Sequence, residues 1–229
     1  LFFNLGIDIN TIEKKKKGDS DIISSSLSYF KVLGDHYISP YIYWNKPNYR
    51  RQEDYQTLGA GINNTFILNE KNNLNYSVGY SNTHYEDNLT FDTANNNNNS
   101  VYSSFIRHNF NFTNKIQFGT KFILNRSEYI KEFDSYDTKG ITLSYSQILP
   151  IGTFKLRSTY LENDYDEIES FVSPTIIRND ESLFTVLSLD GQLNKILPFA
   201  KAFNKDNSIF YTLNLKQSDV SSNILNNDI

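Results

Sequence analysis

Neither cysteine nor methionine occurs anywhere in the 229 residues. Without cysteine there can be no disulfide and no thiolate-ligated metal. Without methionine, Leu1 is not a translation start, so the expectation is a processed or excised piece of a longer chain. No stretch approaches the ~18 consecutive apolar residues of a membrane-crossing helix. That lack leaves β-barrel spans open, because each is short and only half apolar. The first residues carry no secretory leader pattern. With only 5 proline and 10 glycine residues, collagen-like and proline-rich chains are excluded. Basic charge is also scarce. A net charge of -4 and a pI near 5.4 exclude the basic face of a nucleic-acid binder, so no nucleic-acid partner is expected.

What is present is aromatic and alternating. Hydrophobic residues make up 38% of the chain while aromatics reach 15%, with 16 Tyr and 17 Phe. This mixture is poor in aliphatic core material and suits strands and membrane interfaces. Gly140–Tyr160 sets the pattern: two alternating runs flank a tight Pro150-Ile151-Gly152 connection. Ile141, Leu143 and Tyr145 share a face opposite Thr142, Ser144 and Ser146, and Phe154, Leu156 and Tyr160 oppose Lys155, Arg157 and Thr159. Period-two spacing sends successive side chains to opposite sides of a sheet.

The same alternation recurs along the chain. Phe3, Leu5, Ile7 and Ile9 oppose Asn4, Gly6, Asp8 and Asn10. Strands follow at 22–33 and 37–44. Pro40 in the second of these lacks a ladder donor and suggests an edge or a bulge. Tyr41, Tyr43 and Trp44 read as part of an interfacial aromatic girdle, with sandwich-core packing as the alternative. Residues 45–54 read as a polar connection. Leu58, Ala60, Ile62, Phe66 and Leu68 then alternate with Gly59, Gly61, Asn63 and Thr65, and Leu74, Tyr76, Val78 and Tyr80 alternate with Asn75, Ser77, Gly79 and Ser81. Further strands follow at 101–112, 116–128, 181–195 and 208–219. The Lys14–Lys17 run reads as a solvated loop, with anionic headgroups as its functional alternative. Asn95–Asn99 reads as an exposed loop.

The connections alternate in length. They are short after Leu33, Leu68, Phe112 and Leu149, and long after Asn10, Trp44, Tyr85, Tyr129 and Tyr160. The connection 196–207 breaks that rule. Short turns at one end and long loops at the other characterise an antiparallel up-and-down transmembrane barrel. About eleven strands are expected over residues 1–229, each near the ~9–11 residues a tilted span needs. An odd count and unpaired edges, not tolerated in lipid, imply that further strands belong to the barrel. A soluble β-sandwich binding module is the alternative architecture.

Lysine and arginine inside these strands fall on the polar phase. Asp8, Arg107, Lys121, Lys155 and Arg157 are therefore candidate lumen-lining residues. They would meet a passing polypeptide, or form structural ion pairs among themselves. His36, His84 and His108 lack the close spacing of a histidine metal site. His108 lies in phase with Ile106 and Phe110 with no serine partner at a suggestive spacing, so no catalytic group is assigned. Asp164, Asp166, Glu167 and Glu169 lack EF-hand spacing and read as a solvated acidic loop. No cofactor is expected.

Several short segments resemble the C-terminal barrel of the surface lipoprotein assembly modifier (Slam) family. They are Ser39–Tyr49 (SPYIYWNKPNY) with Tyr55 after it, then Asp134–Gly140 (DSYDTKG). Arg178-Asn179-Asp180, Leu197-Pro198 and Ser222-Asn223-Ile224 follow in order. The resemblance marks Arg178, Asp180, Pro198, Ser222 and Asn223 as family-motif positions. It implies an outer-membrane translocator that delivers lipoproteins to the bacterial surface without an enzymatic step. It also implies a periplasmic helical-repeat domain N-terminal to the barrel, and a barrel of about fourteen strands. About two of those strands would precede this segment and one would close it. Residues 201–207 depart from the family pattern and put the last turn in doubt. The expected partners are outer-membrane lipids, a lipoprotein client and the helical-repeat domain. A passive porin-like channel for small solutes is the competing function.

Overall fold

A computed structural model describes residues 2–12, 20–49, 54–86, 94–169, 173, 175–192 and 210–224. Eleven strands form one sheet: β1 (Phe2–Ile12), β2 (Ser20–Leu33), β3 (His36–Tyr49), β4 (Asp54–Asn69), β5 (Asn72–Glu86), β6 (Asn99–Thr113), β7 (Ile116–Tyr129), β8 (Tyr136–Ile148), β9 (Gly152–Tyr165), β10 (Asn179–Gln192) and β11 (Phe210–Ser222). Spatial order follows sequence order, and every described pairing is antiparallel. This is the up-and-down all-β topology that the alternation predicts. Among the described residues helix is limited to the short 3-10 turns Ala94–Asn97 and Glu132–Asp134.

Register carries the two phases across the sheet, with shifts only beside two short turns, at Ile67–Asn69 and Asn111–Thr113. Leu58, Ile106, Phe122, Leu124, Leu143, Leu213 and Leu215 share one face and are all exposed. The opposite face carries small polar side chains. Ser77, Ser127, Thr138, Thr142, Asp180 and Ser182 on it are buried. Among the described residues the one buried hydrophobic side chain is Ile224. A soluble sheet buries its large apolar residues and wets its serines. This sheet does the reverse, and no second layer covers the apolar face among the described residues. The sandwich alternative fails on that point.

Aromatic rings mark both ends of the apolar face. Phe110 with Phe112, Phe118 with Tyr145, and Tyr145 with Phe154 pack near the short turns at centroid distances of 6.4, 5.3 and 6.2 Å. Tyr80 and Tyr102 pair at 5.1 Å toward the other end. Beyond them the face turns ionic: Lys139 meets Asp164 at 2.7 Å, and Arg126 meets Asp137 at 3.7 Å and Glu128 at 3.6 Å. Apolar band, aromatic girdle and charged collar form the sequence expected of a lipid-facing barrel wall.

The structure corrects three details of the sequence reading. Tyr41 and Tyr43 do not join the girdle. They stack on one another at 6.3 Å on the polar face, over Gly59, Gly61 and Gly79. Trp44 alone of that trio takes the apolar phase, with its indole N–H donating to Gln56 at 3.4 Å. Pro40 marks no sheet edge, because β3 lies between β2 and β4. The β2–β3 register instead passes directly from Ser28–Tyr41 to Lys31–Ile38 around the proline, which has no N–H to offer. Finally, the strands run longer than the alternation alone gave: β3 reaches Tyr49, and the connection before β10 shrinks to 166–178. Polar residues such as Asn45 and Asn163 still pair in the ladder, because backbone pairing continues past the apolar band. The Lys14–Lys17 run, the connection 196–207, Pro198 and residues 201–207 lie outside the described residues.

Candidate functional site: the polar face

Arg107, Lys121, Lys155 and Arg157 all project from the polar face, on β6, β7 and β9. Asp8 stands opposite Ser24 in the β1–β2 register, in phase with that face. These residues do not behave alike. Lys155 is neutralised by Asp190, at 2.9 Å across the β9–β10 pair. Arg107 and Lys121 are direct cross-strand partners. The Lys121 ammonium lies 4.1 Å from the centroid of the Phe105 ring, and the Arg107 guanidinium 6.0 Å from the same centroid. Both positive charges therefore lie against one aromatic ring. Arg157, two strands further along, adds its charge to the electrostatic environment of Lys121. Among the described residues no carboxylate reaches ion-pair distance of Arg107, Lys121 or Arg157.

The surrounding polar side chains are occupied with each other. Asn109 and Asn75 both donate to Asn73 Oδ1 at 2.8 Å, and Thr65 donates to Asn75 at 2.7 Å. Gln117 donates to Asn111 at 2.9 Å, and the hydroxyls of Thr142 and Thr159 lie 3.0 Å apart. This cross-strand lattice satisfies the face laterally. The three cations stand out from it.

A second feature occupies the long-connection end of the polar face. Tyr55 and Tyr85 pack at 5.1 Å, Tyr129 and Tyr136 at 6.3 Å, and Tyr136 and Tyr165 at 5.1 Å. The Arg178 guanidinium lies 4.7 Å from the Tyr165 ring centroid and grips Asp180 with two bonds, at 2.6 and 3.0 Å. The arc thus runs along the rim from β4 to β10. Its members Tyr55, Tyr85, Tyr129, Tyr136, Tyr165, Arg178 and Asp180 are spread over more than a hundred residues, and Tyr55, Tyr136, Arg178 and Asp180 belong to the motif segments. Sequence reasoning missed the arc as a unit. The signal available was a polar-phase tyrosine at the long-connection end of β4, β5, β7, β8 and β9.

Ser222 and Asn223, the other described motif residues, meet beside it. Ser222 pairs with Asp180 in the β10–β11 register. The Asn179 N–H donates to Asn223 Oδ1 at 2.8 Å, the Asn223 N–H returns to Asn179 O at 3.1 Å, and Asn223 Nδ2 donates to Ile177 O at 2.9 Å. Ile224 is buried next to this joint. The acidic connection is likewise tied down. Arg126 binds both carboxylate oxygens of Asp166, and Asp164 accepts from Lys139 and Asn179. That hydrogen bond from Arg126 holds the Asp166 carboxyl below its ordinary range, whereas Glu132 pushes its neighbour Glu167 upward by sharing a proton and repelling its charge. Among the described residues no group of His, Asp and Glu is placed to hold a metal ion. His36 bonds Tyr76 Oη at 3.0 Å, and His108 bonds Asn72 at 2.9 Å.

With this geometry in place, a family profile described as surface lipoprotein assembly modifier matches residues 11–211. The chain belongs to the surface lipoprotein assembly modifier family. Family membership and the lipid-type face place it in the bacterial outer membrane. No curated protein matches the chain. Among solved structures it is similar to the siderophore receptor PirA from Pseudomonas aeruginosa, at 14% identity and a TM-score of 0.46. That alignment covers 96% of this chain, which spans 37% of the receptor's length.

Proposed function

We propose that this chain forms the wall of an outer-membrane conduit that helps pass lipoproteins to the cell surface, with the polar face as the lining of its lumen. The observation that carries this reading is the inverted sheet: exposed leucine, isoleucine and phenylalanine on one side, hydrogen-bonded serine, threonine and asparagine on the other. The first face is matched to acyl chains. The second relieves the cost of moving polar polypeptide past hydrocarbon. Its partners are then lipids of the outer membrane, a lipoprotein client and a periplasmic helical-repeat domain of the same protein. The mechanism needs no bond made or broken.

The test is deletion of the gene that encodes the full protein, followed by labelling of surface lipoproteins on intact cells. Loss of display of a particular lipoprotein, with other outer-membrane barrels present at normal levels, supports the conduit. Unchanged display, together with steady ion conductance of the purified protein in planar bilayers, would replace it with a passive solute channel.

A further inference from the structure

The cations on the polar face are more specific than a generic wet lining requires. Arg107, Lys121 and Arg157 lie at mid-strand, while the carboxylates that could neutralise them are gathered elsewhere. Asp164, Asp166, Glu162 and Glu181 belong to the collar and connections at the long-connection end, and Asp190 is taken by Lys155. In a chain of net charge -4, the polar face therefore carries, among the described residues, three cations without an ion-paired carboxylate. Like charges held this close raise each other's energy unless something negative joins them. Phe105 underlies two of the three and limits where Lys121 and Arg107 can turn.

We propose that Arg107, Lys121 and Arg157 form a binding patch for an acidic stretch of polypeptide in the lumen. This deepens the conduit reading and rests on it for the accessibility of that face. Spacing selects a polypeptide over a single small anion. β6 and β9 are three strand spacings apart, about 14 Å at roughly 4.8 Å per strand. One carboxylate or phosphate cannot span that distance, but side chains two and four residues apart on an extended segment can, at about 3.3 Å per residue. Between the cations the register sets Gly119 beside Ser144 and Thr142 beside Thr159, small residues on the strands that join them. Arginine binds carboxylate bidentately, and lysine adds a mobile point charge.

The experiment uses the full protein in lipid nanodiscs and a fluorescein-labelled peptide of ten glutamates, with a Gly-Ser peptide of equal length as control. The expected result is at least tenfold tighter binding of the acidic peptide at low salt, weakening as salt rises. The triple variant R107Q/K121Q/R157Q is expected to fall to the control level. K139Q, which removes a lysine from the apolar-face collar, is expected to bind as the wild type does. Heat-modifiable migration on gels confirms that each variant is folded. Equal binding of the two peptides by the wild type, or an unchanged triple variant, overturns the proposal. So does full competition by free glutamate at matched carboxylate concentration, which would make this a small-anion site. Lost peptide preference with lipoprotein display intact defeats this patch and leaves the conduit standing. Intact preference with display unaffected by gene deletion does the opposite.

Discussion

Single residues on this sheet are governed by which of two solvents they face. Phe122 is 57% exposed in the middle of the apolar face, and Asn125, three residues on, takes the polar phase. Phe122→Lys is expected to cost about 2–4 kcal/mol in unfolding from lipid vesicles, whereas Asn125→Lys should change it little. Urea titration of both variants checks the contrast, and equal losses would sink the assignment of faces. Gly61 makes a different demand. A Cβ there would meet Val78 O at 2.7 Å and Tyr41 Oη at 2.6 Å. Tyr41 can turn aside, but the backbone carbonyl cannot. Gly61→Ala is therefore expected to destabilise by roughly 1–3 kcal/mol, and adding Tyr41→Ala should recover only part of it. The sequence reading placed Gly61 in the polar phase but could not see the tyrosine beside it. Alternation assigns a side to each residue and says nothing about which neighbour leans across.

Among the elements, the connections at the long end are the least uniform. The Arg178–Asp180 and Ser222–Ile224 segments are separated by more than forty residues and locked by reciprocal asparagine bonds. Asn223→Ala removes side-chain bonds at 2.8 and 2.9 Å, each worth about 0.5–1.5 kcal/mol. The expected outcome is faster proteolytic nicking within 166–178, with strand content unchanged by circular dichroism. The Arg126–Asp166 pair adds a pH dependence of its own. Because the folded-state pKa of Asp166 is depressed, its stabilising contribution is present above the unfolded value of about 3.9. It is lost as pH falls through the folded value. Nicking of the same connection should therefore rise in strong acid, and Asp166→Asn should remove that rise. Strand number, order and the short turns were all legible in the sequence, since each hairpin advertises itself by period two. Strand ends were not. Past the apolar band both phases are polar, so nothing in the pattern marks where pairing stops, as at Asn45–Tyr49.

For the molecule as a whole, the candidate site was legible as a set of charges and illegible as a site. Asp8, Arg107, Lys121, Lys155 and Arg157 were grouped by phase alone, and four of them do project from the polar face. Register then divides them, pairing Lys155 with Asp190 and setting Lys121 beside Arg107 over Phe105. Such pairings link residues tens of positions apart, which local spacing cannot resolve. Phe105, Ile123, Leu161 and Phe184 share the polar phase as well, so a count of apolar residues alone would have blurred the two sides.

Spacing greasy residues at every second position has a consequence for biogenesis. No stretch of the 229 residues approaches the ~18 consecutive apolar residues of a membrane-crossing helix, and mean hydropathy is -0.51. The lipid-seeking surface comes into being only when neighbouring strands align. The polypeptide can therefore travel through water as an inconspicuous polar chain and acquire its affinity for the bilayer at the moment of folding.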